Sequence, residues 1–238
     1  MAFVAPFKAV FSPPISSPGV AAVPWWLSGG IAAANCIAAY TPKGAASYAA
    51  SLDNNAAPGN GLPDGTYDAI DSGGLTSPTW DAINGWKATV TGAGRNYLKS
   101  TIVLPIVQTW SMIIRVSGVD VGSYVCGTMN TVGGIMHYNV SRVAGTISYA
   151  HGGVVNVAPS AAGGAFGWAG NIPYRNGAAE AAIIPVGTAP LALAVNPLGL
   201  NLNGVSRGYI SQVQAEAWYN VILTPAQMLA VYTTMAAL

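Results

Sequence analysis

TWSMIIRVSG, residues 109–118, decides the fold. Trp110, Met112, Ile114 and Val116 fall on one side of an extended chain, and Ser111, Arg115 and Ser117 on the other. This is the period of two expected of a half-buried strand. Only Ile113 breaks the polar face. Further strands are expected at 120–128, 133–140, 144–150, 164–168, 180–186, 190–196 and 207–219, with Asn176-Gly177 in PYRNGAAEA as the strongest hairpin signal. Many short strands divided by Gly, Asn and Pro turns indicate an all-β antiparallel sandwich rather than a parallel α/β sheet. One short helix is expected to close the chain. Thr224-Pro225-Ala226-Gln227 supplies an N-cap, a proline at the first helical position and a capping-box glutamine, and Met228, Val231, Tyr232 and Met235 share one face.

Upstream of 100 the text is rich in turns: APGNGLPDG at 57–65, DSGG at 71–74, SPTWDAINGW at 77–86 and TGAG at 91–94, so strands there must be short. Residues 1–30 read as an apolar N-terminal arm preceding a domain at 31–238. Phe3, Phe7 and Phe11 recur every fourth residue, yet Pro6, Pro13, Pro14 and Pro18 forbid a long helix and leave an extended segment with apolar anchors. Trp25 and Trp26 end it as a second adhesive spot. With Phe3, Phe7 and Phe11 they are the expected docking residues, packing either on a neighbouring subunit or on their own domain.

Composition narrows function. Lys and Arg number nine and Asp and Glu eight, 7% of the 238 residues, where a soluble domain averages roughly a quarter. A surface of about 10,000 Å² is expected at this mass, so most of it must be neutral, and much of it is expected to be covered by other subunits or a larger assembly. Net charge is +1 with no basic cluster, which argues against a nucleic-acid groove. Residues 9–42 carry no charge, but their prolines and glycines leave no run of about 20 apolar helix formers, so no membrane span is expected. The prolines after Lys8 also break the apolar stretch of a secretory signal, and no cleavage is expected. Cys36 and Cys126 could form one disulfide or be two small buried residues.

The runs AAYTPKGAASYAASLDN (38–54), GTYDA (65–69), PTWDAINGW (78–86), NYLKSTI (96–102) and QTWSMIIRVSG (108–118) resemble the N-terminal half of concanavalin A-like lectin/glucanase domains of the laminin-G-like type. The versions most resembled are those of bacteriophage and environmental viral structural proteins. PYRNGAAEA (173–181) is similar to a hairpin of these domains, and GYISQVQAEAWYNVILTPAQMLAVYTTM (208–235) to their closing strand and helix. The resemblance covers roughly 35–238. It departs at Val221, where a basic residue is usual, and at Gln227, where an acid is common. It implies a jelly-roll sandwich, a scaffold that serves lectins, hydrolases and inert spacers alike. It also implies a virion surface protein with capsid or tail proteins, its own copies and a glycan as partners. Its role would be adhesion, or else decoration that stabilises the particle without a ligand.

Enzymatic signals are missing. The paired carboxylates of the glucanase branch have no counterpart, since Glu180 and Glu216 stand alone, and no H-E-x-x-H or P-loop occurs around the two histidines, His137 and His151. For a sugar, Trp168, Asn171, Tyr174 and Arg175, with Phe166 nearby, offer flat rings beside polar groups, against the rival reading of core packing. Asp53, Asp64, Asp68, Asp71 and Asp81 crowd one region. Asp64, Asp68 and Asp71 are the candidate ligands for calcium, the one cofactor the sequence offers; the competing reading is ordinary turn chemistry.

Overall fold

A computed structural model describes residues 22–238 apart from 72–77, 89–91, 94–97, 103, 105–108, 120–122, 131–134, 144, 152–153, 160, 186–197, 199, 203–204 and 209–210. In chain order the first strands are β1 (Cys36–Tyr40), β2 (Ile70–Asp71), β3 (Thr79–Asp81), β4 (Gly85–Ala88), β5 (Gly92–Ala93), β6 (Leu98–Lys99), β7 (Ser111–Val119) and β8 (Ser123–Asn130). They are followed by β9 (Ile135–Val143), β10 (Thr146–His151), β11 (Val154–Val157), β12 (Gly164–Ala169), β13 (Ile172–Arg175) and β14 (Ala178–Ala179). β15 (Leu200–Leu202), β16 (Val205–Gly208) and β17 (Ser211–Tyr219) complete the set, with a single helical turn α1 (Tyr48–Ser51) and the closing helix α2 (Pro225–Ala236).

Two sheets form the sandwich. The first runs β14-β13-β12-β7-β17-β4-β3, with β1 also paired to β17; the second runs β11-β10-β9-β8-β15-β16-β5. All pairs are antiparallel except β8 with β15. Between the sheets lie Met112, Ile114 and Val116 of β7 with Trp86, Trp110, Trp168, Trp218, Tyr40 and Tyr149. Trp110 meets Trp168 edge to face and Trp218 at a tilt, with ring centroids 5.3 and 5.7 Å apart.

A second apolar layer explains Ile113. This residue faces away from the sandwich core, among Ala165, Ala169, Ala215, Ala217 and Tyr219, and α2 lies over it with Met228, Val231 and Met235 buried. The alanines keep this outer face low enough for a helix to settle on it. Thr224 caps α2 as the sequence leads one to expect: its hydroxyl accepts from the N–H of Gln227, whose side chain accepts from the N–H of Thr224. Thr224→Ala should therefore lower unfolding stability by about 1 kcal/mol, measured by urea denaturation.

The Asn176-Gly177 hairpin is also present, joining β13 to β14, with φ of 50° and 77° at the two turn residues. Other expectations are revised. Residues 180–184 form no strand, although Ile184 is buried and its N–H donates to the carbonyl of Asn171. The segment 190–196 lies outside the described residues. Cys36 and Cys126 are buried thiols in different layers, one under α2 and one between the sheets, and no disulfide joins them.

Phe3, Phe7 and Phe11 lie outside the described residues, but Trp25 and Trp26 pack on their own domain. Trp25 is 7% exposed, joins the layer beneath α2 and donates through Nε1 to the Thr41 hydroxyl at 3.0 Å. No helix among the described residues is long and apolar enough to cross a membrane.

Candidate functional site

The residues expected to hold a sugar are placed elsewhere by the fold. Trp168 and Phe166 belong to β12 and are sealed in the inter-sheet core, where neither ring can meet a ligand. Tyr174 is buried on the opposite face, in the layer under α2, and its carbonyl accepts from the Tyr149 hydroxyl at 3.1 Å. Arg175 forms an ion pair with Glu180 at 2.7 Å and donates to the carbonyls of Pro159 and Val157 at 2.6 and 3.2 Å. It thereby ties the edge of one sheet to the end of β11 in the other. Asn171 sits half-buried in the turn between β12 and β13. These four residues stabilise the sandwich instead of forming a cleft.

The acidic segment follows turn chemistry. Asp68 turns inward, and its Oδ1 accepts from the N–H of Asn54 at 2.8 Å. Asn54, 2% exposed, is fully engaged: Oδ1 accepts from Ala39 and Ala56, and Nδ2 donates to Ile37 and Thr66. Asp71 lies beside Tyr48, whose hydroxyl is pushed up to about 12 by burial and then by that carboxylate, while Asp64 is exposed on the loop. Asp81 closes an Asx turn on Ile83 and Asn84, whose N–H donors hold its carboxyl below the usual range. Among the described residues no three His, Cys, Asp or Glu side chains are placed to hold a metal ion. The three carboxylates expected to hold calcium are not grouped: Asp68 is bound to Asn54, Asp71 lies beside Tyr48, and Asp64 is exposed.

An aromatic-and-polar concavity does exist, at the end of α2. It measures about 550 Å³ and is lined by Trp26, Thr41, Lys43, Asp53, Asn55 and Leu238, among others. Its floor is rigid. The 3-10 turn Trp25–Leu27 follows Pro24 and is held from three sides: Thr234 donates to the Trp25 carbonyl, Tyr219 donates to the Trp26 carbonyl at 2.9 Å, and the two tryptophan rings meet edge to face at 5.6 Å. Trp26 remains half-buried.

The polar wall comes from the loop after β1. Asn55 is anchored by its own N–H and by Nδ2 to the Ala39 carbonyl. Lys43 donates through its backbone to the Gln214 carbonyl at 3.1 Å, and its ammonium has no ion-pair partner among the described residues. The Asp53 carboxyl is raised by partial burial and by the like charges of Asp68 and Asp64. Trp26 and Asp53 stand out in the sequence as an adhesive pair and an acid cluster. Lys43, Thr41 and Asn55 do not, since only the fold brings them to the tryptophan.

Among the described residues no second carboxylate joins Asp53 in lining this concavity. Glu216 is 0% exposed within the core, and Glu180 is held by Arg175.

The two sheets and their capping helix define an antiparallel β-sandwich. No family model and no curated protein matches the chain. Several solved structures share its fold. The botulinum neurotoxin DC binding domain in complex with SialylT is 9% identical, with a TM-score of 0.54 over 85% of this chain and 52% of that one. A structure described as HCR/D-Sa-GBL1/C is 9% identical, with a TM-score of 0.55 over 86% and 52%. Trypanosoma rangeli sialidase with 2,3-difluorosialic acid is 12% identical, with a TM-score of 0.52 over 84% of this chain and 33% of that one. The chain thus spans about half the length of the toxin structures and a third of the sialidase. At such identities the likeness is one of fold.

Proposed function

We propose that this chain is a glycan-binding module whose site is the cleft at Trp26. The observation that carries the reading is the half-buried indole, fixed by its backbone bonds and sharing a concavity of about 550 Å³ with the ammonium, carboxyl, amide and hydroxyl residues Lys43, Asp53, Asn55 and Thr41. A pyranose offers an apolar face to such a ring and hydroxyls to such neighbours. The SialylT complex of a protein with the same fold supports the choice of ligand class. The resemblance of the sequence to viral structural proteins supports a place on the virion surface, where many copies would turn weak single contacts into firm adhesion. The cleft also favours adhesion over a decoration protein, which would need no such site, although the 7% charge content suits either role.

Trp26→Ala is expected to weaken retention on an immobilised glycan by roughly thirty-fold, about 2 kcal/mol. Lys43→Ala, which breaks no side-chain bond within the fold, should weaken it with the thermal unfolding temperature unchanged. Full retention by both variants would move the site away from this cleft.

A further inference from the structure

β17 does not alternate evenly. Val213 pairs with Val116 and Ala215 with Arg115, so Gln214 is an extra residue, a β-bulge opposite β7. Bulges re-aim side chains and recur beside binding sites. Here the bulge turns two successive residues, Gln214 and Ala215, toward the helix-covered face, while Val213 and Glu216 flank them on the inner one. Gln214 is only 8% exposed, and its side-chain amide has no hydrogen-bond partner among the described residues. The amide opens instead into a pocket of about 420 Å³ that shares no lining residue with the Trp26 cleft.

The pocket is lined by Arg115, Ser117, Asn176, Gln214 and Tyr232, and one wall is Gly163-Gly164, where no side chain fills the space. Its chemistry is one-sided. Arg115 is the single charged residue, no acid lines the pocket, and the remaining polar groups are amides and hydroxyls. Arg115 is held in place by strand β7 and by the bond from Nη1 to the Met235 carbonyl in the last turn of α2. Asn176 is fixed as well: its Oδ1 accepts from the N–H of Ala165 at 2.9 Å, which leaves its amide N–H groups as donors. A positioned guanidinium among neutral donors matches a planar carboxylate carried on a polyhydroxylated body, and Tyr232 adds an apolar surface for a sugar ring. A single cation is too little for a nucleic-acid backbone.

We propose that this pocket is a second binding site, which takes the carboxylate-bearing residue of an acidic glycan, with Arg115 on the carboxylate and Gln214 on the ring hydroxyls. It does not depend on the Trp26 cleft. Saturation-transfer NMR titrations of the full chain carrying Trp26→Ala, which removes sugar binding at the first cleft, with D-glucuronate, D-glucose and acetate test it, since glucose lacks the carboxylate and acetate lacks the ring. Glucuronate is expected to bind at least tenfold more tightly than either. Gln214→Glu, which sets a carboxylate beside Arg115, should weaken glucuronate binding at least tenfold. Ser117→Asp at the exposed rim should act in the same direction without touching the core, and Trp26→Ala should leave it within twofold. Equal affinity for glucose or for acetate, or glucuronate binding unmoved by both Gln214→Glu and Ser117→Asp, would overturn the assignment. Loss of glucuronate binding in Trp26→Ala alone would instead return the ligand to the first cleft.

Discussion

Unfolding stability should fall as pH rises above about 4.5, and Glu216→Gln should abolish the fall. Glu216 lies at the centre of β17, between Ile114 of β7 and Tyr40 of β1, fully buried in the inter-sheet core. Neither carboxyl oxygen has a well-formed hydrogen bond. Burial pushes its pKa well above the ordinary 4.5, and the nearby Trp218 side chain opposes this only in part. The folded chain therefore keeps a proton that the unfolded chain has released, so each pH unit between the unfolded and folded pKa values removes about 1.4 kcal/mol. Below the unfolded value the carboxyl is protonated in both states, and its contribution no longer changes. The native chain should therefore lose stability steadily as pH rises from 4.5 toward the raised folded value, with Tm falling alongside. Asp53, also raised, acts in the same direction but is exposed, so the glutamine variant separates the two. Calorimetry across pH gives the answer. A slope that persists in Glu216→Gln would assign it to other groups.

The second large effect is expected at Gly85. This glycine begins β4 with φ of 80°, a conformation that L side chains rarely adopt. It also sits directly against the bulge: an added Cβ would overlap the Val213 carbonyl oxygen and lie 3.1 Å from the Gln214 Cα. Backbone atoms in the middle of a sheet cannot yield as a side-chain tip can. Gly85→Ala should cost about 3 kcal/mol or more, through left-handed strain combined with steric overlap. Gly61→Ala is the control, because it has the same φ, 81°, with open space around it, and should cost only about 1–2 kcal/mol. Equal losses in the two variants would show that backbone strain alone, and not contact with the bulge, sets the cost.

The bulge also marks where the sequence stops being readable. Strand β7, the Asn-Gly hairpin and the capped helix follow from local rules, since alternation, positive φ and the capping box are each encoded within a few residues. The exception at Ile113 has a tertiary cause: a helix more than a hundred residues later covers that face. In SQVQAEAWY (211–219), even alternation puts Gln212, Gln214 and Glu216 together on one polar face. One inserted residue instead turns Glu216 into the core and Gln214 into a pocket, and no local pattern signals it.

The candidate sites show the same limit. Trp168 and Tyr174 have the residue types of a sugar site, but their positions in β12 and β13 make them core. Lys43, Asn55, Arg115 and Gln214 reach their clefts from strands and loops far apart in the chain. The acid cluster is legible as a group, yet Asp68 and Asp81 accept from backbone N–H groups within the loops, the work Asp does in turns.

The most direct test of the central claim is an array of neutral and acidic oligosaccharides probed with the folded full-length chain, with Trp26→Ala alongside. The account predicts saturable retention on a restricted set of glycans, with the neutral members of that set lost in Trp26→Ala. Retention on none, by a chain whose thermal unfolding is cooperative, would contradict glycan binding.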